Sequence, residues 1–188
     1  MSYEVYKQLI TDLLAEGKST SPEPSTDLAH YSQLNMQRMH RVEKTILITP
    51  EVRVAFARPL PSQYWLVLTE GWCGDAAQSI PVMVALAKLN PAIRVGFLLR
   101  DQNLELMDQY LTNGVSRSIP RLIALHPLSG EELFTWGPRP APLQEAFYKM
   151  KEEGVEYHLM KEELQRWYNK DRTLTIQEEF TTLVKALS

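Results

Sequence analysis

Two periods alternate along the chain. Tyr3, Tyr6, Leu9, Ile10, Leu13 and Leu14 recur at helical spacing, and Gly17 with the polar stretch KSTSPEPS ends the pattern. A second helical pattern starts at Thr26 or Asp27 and runs to about Val42, with Leu28, Tyr31, Leu34 and Met39 expected inside. Thr49, Pro50 and Glu51 supply an N-cap, a helix-compatible proline and a first-turn acid, so a short helix is predicted to about Ala57, closed by Pro59 and Pro61. At residues 64–68 the pattern changes to a continuous apolar run, the kind buried on both faces of a sheet. Helical spacing resumes just after Gly74, which predicts a strand, a tight turn and a helix in succession.

The second half repeats this logic. Asn90 and Pro91 mark a break, and residues 93–99 read as a second strand, parallel to the first if the intervening helix is a crossover. A helix follows through Leu111, stopped by Asn113 and Gly114. Residues 122–126 and 132–136 form a hairpin around the turn at 127–130. Helices are predicted over 143–153 and 157–169, divided by Gly154, and Thr175 with Glu178 predicts a capping box opening a last one. The expected organisation is a core over 62–152, a helical extension over 1–61, and a second over 153–188 packed on the core.

Composition narrows the classes. A chain of 188 residues with 44% hydrophobic and 23% charged content can bury one good-sized core. The net charge of −3 and the lack of a dense basic run argue against a nucleic-acid partner. No apolar run is long enough to cross a bilayer or to act as a signal peptide, so no membrane partner and a cytoplasmic location are expected. The single cysteine fits a reducing compartment and excludes an intrachain disulfide. His30, His40, His126 and His158 share no ligand spacing with each other or with Cys73, so neither a metal nor another cofactor is expected.

Candidate chemistry centres on Cys73, at the predicted junction of strand and helix. Unpartnered N–H groups and the positive end of the helix dipole favour a thiolate there. Asp75, two residues on, works in the opposite direction, and exposure decides between them. Trp72 suits either a cover for apolar surface or a docking surface for an extended polypeptide. Glu70 reads as a plain loop charge and Arg117 as a solvated one, while Asp75 and Asp101 stand between local roles and an acidic rim.

Trp72, Cys73, Gly74, Asp75 and Ala76 resemble the thioredoxin WCGPC motif with its last two positions changed. Pro81 stands eight residues after the cysteine, as in that family; Ile119-Pro120, preceded by Arg117 and Ser118, resembles its cis-proline segment, and Gly137 its late glycine. The resemblance covers about residues 62 to 152. It implies a thioredoxin-like α/β fold, with a central mixed sheet flanked by helices and helical extensions at both ends. It also implies Cys73 as nucleophile and Trp72, Gly74, Asp75, Ala76, Ile119 and Pro120 as substrate contacts. Three positions depart from the pattern: Ala76 replaces the resolving cysteine, and Val67 and Phe97 fall where the family has a buried aspartate and a lysine.

Three functions follow. The first is a monothiol oxidoreductase, in which Cys73 exchanges with a protein disulfide or a low-molecular-weight thiol and an external thiol resolves the adduct. The alternative is a binding module without redox turnover, recognising a polypeptide across Trp72 and Pro120 or through the helical extensions. A third, an iron–sulfur carrier sharing its cluster with an external thiol as monothiol glutaredoxins do, ranks below both.

Overall fold

The computed structural model describes residues 1–187. The chain opens with α1 (Tyr3–Ala15), α2 (Thr26–Thr45) and α3 (Pro50–Phe56). Each begins behind a hydroxyl: Ser2, Ser25 and Thr49 accept the N–H of Val5, Leu28 and Val52, satisfying donors that a helix leaves open. Next come β1 (Gln63–Thr69), α4 (Gly74–Ala87) and β2 (Ile93–Leu99). A four-residue α5 (Leu104–Met107) lies between two 3-10 turns, so the continuous helix expected to Leu111 is broken. The hairpin β3 (Arg121–Leu125) and β4 (Glu132–Trp136) is followed by α6 (Ala141–Glu152), α7 (Tyr157–Asp171) and α8 (Leu174–Lys185).

The four strands lie in the order β2-β1-β3-β4, with β1 parallel to β2 and antiparallel to β3, and β3 antiparallel to β4. This is the mixed sheet flanked by helices that the resemblance implies. Trp65, Val67 and Leu68 of β1 are fully buried. Tyr64 lies across Gly96 of β2, where a Cβ would stand 1.9 Å from the phenol oxygen. On the outer edge of β2, Phe97 exchanges backbone hydrogen bonds with Met1, both 2.9 Å, and its ring stacks on Tyr6 at 5.5 Å. Beyond β4, Phe180 of α8 meets the rings of Trp65, Phe134 and Trp136 at 5.1, 6.4 and 5.4 Å.

Two further helices differ from the sequence reading. The buried stripe of α2 is Ala29, Ser32, Asn35, Met39 and Val42, while Leu28, Tyr31 and Leu34 are half-buried. Small and polar residues form this face because α2 lies against α4 and the loop before it, where backbone groups need partners. The capping box at Thr175 is not made. Arg172 and Thr173 turn left-handed, with φ 51° and 69°, and α8 starts behind them with Thr175 already bound to the Asp171 carboxylate.

Gly137, just after β4, has φ +118°, and a Cβ there would stand 2.1 Å from the Pro120 carbonyl oxygen. Gly137→Ala meets both a disfavoured backbone and a clash with main chain, so a cost of about 2 kcal/mol is expected, read as a Tm fall of roughly 5 °C. An unchanged melting curve would contradict this.

Candidate functional site

β1 leaves the sheet through Glu70, Gly71 and Trp72, and Cys73 becomes the N-cap of α4. The Cys73 N–H donates to the Glu70 carbonyl at 3.1 Å, and its own carbonyl accepts the first helical bond from Ala77. The sulfur sits between that first turn and the segment entering β3: the Ala76 N–H points at Sγ from 3.5 Å, and Sγ donates to the Ile119 carbonyl at 3.2 Å. The Ile119-Pro120 bond is cis.

Exposure decides the state of the thiol. Cys73 is only 8% exposed, and its pKa is pushed up to about 12, first by burial and then by the charge of Asp75. The Ala76 N–H and Arg139 pull the other way and lose. The thiolate expected from the helix end alone is therefore not the resting state.

Asp75 is not an exposed tuning charge. Its side chain is 11% exposed and pairs at 2.7 Å with Arg139, itself 12% exposed, while the Tyr168 hydroxyl donates to the other carboxylate oxygen at 2.9 Å. Burial pushes the Asp75 carboxyl up against the pull of Arg139 and Tyr168. Arg139 arrives from the segment between β4 and α6, donates to Gln144 at 3.1 Å, and lies 4.2 Å over the Phe147 ring. The segment before α6 and the helix α7 thus wall the first turn of α4, with α6 backing Arg139.

The other flank is held from the N-terminal side. Glu70, read from sequence as a loop charge, is fully buried. It accepts the Asp101 N–H at 2.9 Å and the Thr20 hydroxyl, and that hydroxyl accepts the Gly71 N–H at 3.0 Å. Burial raises its pKa to about 7; the two hydrogen bonds oppose this, and Asp101 and Arg100 act in opposite senses. Asn35 of α2 donates to the Gly71 carbonyl at 3.0 Å.

Of the residues expected at the site, Cys73, Asp75, Ala76, Ile119 and Pro120 are brought together but buried, and Trp72 and Gly74 are half-exposed. The Arg100 guanidinium lies 4.9 Å over the Trp72 ring and pairs with Asp101 at 2.7 Å. Arg117 is at the surface, in a two-bond pair with Asp108 at 2.6 and 2.8 Å. Thr20, Asn35, Arg139 and Tyr168 were missed. Arg139 stood among prolines that read as punctuation, and Tyr168 inside a helix whose aromatic residues read as packing. Among the described residues, no three His, Cys, Asp or Glu side chains group to hold a metal, and no helix is long and apolar enough to cross a membrane.

The family model described as Thioredoxin matches residues 21–153. Among solved structures, a protein of unknown function from Pseudomonas aeruginosa is similar, with 14% identity and a TM-score of 0.63 over 100% of this chain and 99% of that one. An HIV epitope-scaffold is similar at 13% identity and a TM-score of 0.60, over 100% of both chains. At such identities the likeness is one of fold alone. No curated protein matches.

Proposed function

Since the chain belongs to the thioredoxin family, with a thioredoxin-like fold around one cysteine, we propose that it is a polypeptide-binding module whose Cys73 works as a neutral hydrogen-bond donor. The observation that carries this is the thiol itself, nearly enclosed, donating to Ile119 at 3.2 Å, with a pKa of about 12. A nucleophile for exchange at neutral pH needs the opposite, an accessible sulfur with substantial thiolate character. Ala76 supplies no thiol to release a mixed disulfide, and Val67 and Phe97 supply no proton relay. The surface open to a partner is the rim of this loop: the half-buried Trp72 with Arg100 over its ring, the half-exposed Gly74, and the exposed residues 113–117 that lead towards Pro120.

Alkylation of Cys73 as a function of pH, read by intact mass, tests the reading. Slow labelling with a midpoint above the free-thiol value of about 8.5 is expected. A midpoint well below it in the folded protein would replace this reading with monothiol exchange. That second reading is favoured by one contact, the Ala76 N–H aimed at Sγ from 3.5 Å, a donor suited to a thiolate once the site opens.

A further inference from the structure

The basic stretch at the end of α2, QRMHRVEK, has no part in the function above, and two of its arginines are held in an unusual way. Arg38 donates to Asn35 Oδ1 at 2.9 Å, and Arg41 to Asn169 Oδ1 at 2.6 Å and Gln78 Oε1 at 3.1 Å. All three acceptors are neutral amides, drawn from α2, α7 and α4. Among the described residues neither arginine has a carboxylate partner, whereas Arg100, Arg117 and Arg139 each have one. Asp75 attracts Arg38 but is already held by Arg139 and Tyr168. Amides fix the direction of a guanidinium without cancelling its charge, and here they hold two like charges close enough for Arg41, together with burial, to hold Arg38 below its usual pKa. In a chain of net charge −3, this doublet is a local excess of positive charge.

Its position relates it to the cysteine loop. Arg38 Nη1 is 3.5 Å from where a Cβ on Gly74 would stand, so the missing side chain leaves the guanidinium beside a half-exposed residue adjoining Cys73. We propose that Arg38 and Arg41 form a subsite for a carboxylate, carried by an acidic residue of the polypeptide that docks across Trp72. The proposal rests on the polypeptide-binding reading for the rest of that ligand. Forked guanidinium donors match a carboxylate in geometry and charge. The nearby Asp75 carboxylate disfavours a dianion such as phosphate more than a single negative charge.

The test uses the full chain and a fluorescein-labelled hexaglutamate peptide, with hexaglutamine as the uncharged counterpart, followed by fluorescence anisotropy at low salt. Binding of hexaglutamate but not hexaglutamine is expected, weakened about tenfold by Arg38→Gln or Arg41→Gln and lost in the double variant. Arg166→Gln is the control, since that guanidinium pairs with Glu162 and Glu163 on the exposed side of α7, and it should change nothing. Equal affinity in the double variant, an equal loss in Arg166→Gln, or no binding of hexaglutamate together with no response to free glutarate would overturn the subsite. Unchanged melting temperatures show that the glutamine variants fold. Free glutarate separates the two claims: an Arg38-dependent shift of the Gly74 amide resonance, with no tighter binding of hexaglutamate, keeps the subsite and overturns the polypeptide.

Discussion

Replacing Arg139 with methionine is expected to cost about 4 kcal/mol and to lower Tm by roughly 10 °C. Methionine fills much of the same volume against Phe147, so the loss is electrostatic: the Asp75 carboxylate stays buried with only the Tyr168 hydroxyl at 2.9 Å for a partner. The direction with pH follows. Burial already raises the Asp75 pKa above its ordinary value of 3.8, and removing Arg139 raises it further. The folded variant therefore holds its Asp75 proton more tightly than the unfolded chain does, so its deficit is greatest at neutral pH and shrinks as pH falls towards the ordinary carboxyl range. Asp75→Asn in the same background should recover most of the stability, because a neutral amide needs no counter-charge. Urea melts of wild type, the single variant and the double variant at pH 7 and 4.5 check this. A single variant within about 1 kcal/mol of wild type at pH 7 would mean that the pair contributes little.

The second large effect belongs to Glu70. Its carboxyl ionises near 4.5 in the unfolded chain and near 7 in the fold, so folding strengthens its hold on the proton. Stabilisation from this residue is complete below about pH 4.5 and lost as pH rises through 7, a span of about 3 kcal/mol. Glu70→Gln should remove that part of the slope and leave the variant more stable than wild type at pH 8. The amide oxygen can still accept the Asp101 N–H, and its NH₂ can donate to the Thr20 hydroxyl oxygen. A variant that is less stable than wild type at pH 8 with an unchanged slope would show that Glu70 is ionised in the fold throughout.

The parts of the molecule legible in the sequence are those in which local pattern and tertiary need agree. The apolar run at 64–68 could only be an inner strand, the return of helical spacing after Gly74 placed Cys73 at a helix start, and the hairpin announced itself through its turn residues. What stayed hidden was the fate of charge. Glu70 meets Thr20 from 50 residues away, and Asp75 meets Tyr168 from 93 residues away. No spacing within a helix or strand encodes such partners, so a buried, compensated carboxylate reads as a solvated one. The α2 face failed for a related reason: Asn35 looks like an exposed position until the neighbouring loop brings in the Gly71 carbonyl it serves, and Ser32 does so until its hydroxyl turns back onto the Leu28 carbonyl of its own helix. The state of Cys73 depended on burial, which the motif alone does not contain.

The loop before α4 is moulded from outside itself: Thr20 holds Gly71 from one side, Asn35 from the other, and Arg139 and Tyr168 close over Asp75. The five letters WCGDA are therefore not a portable cassette. Transplanted into a thioredoxin scaffold that lacks the strap around residue 20 and the C-terminal helices, they would arrive with an open sulfur and a solvated aspartate, and so with a different chemistry. A chain with the same five letters would share the behaviour only with the same mould, and it is residues such as Thr20, Asn35, Arg139 and Tyr168 that would sort one kind from the other.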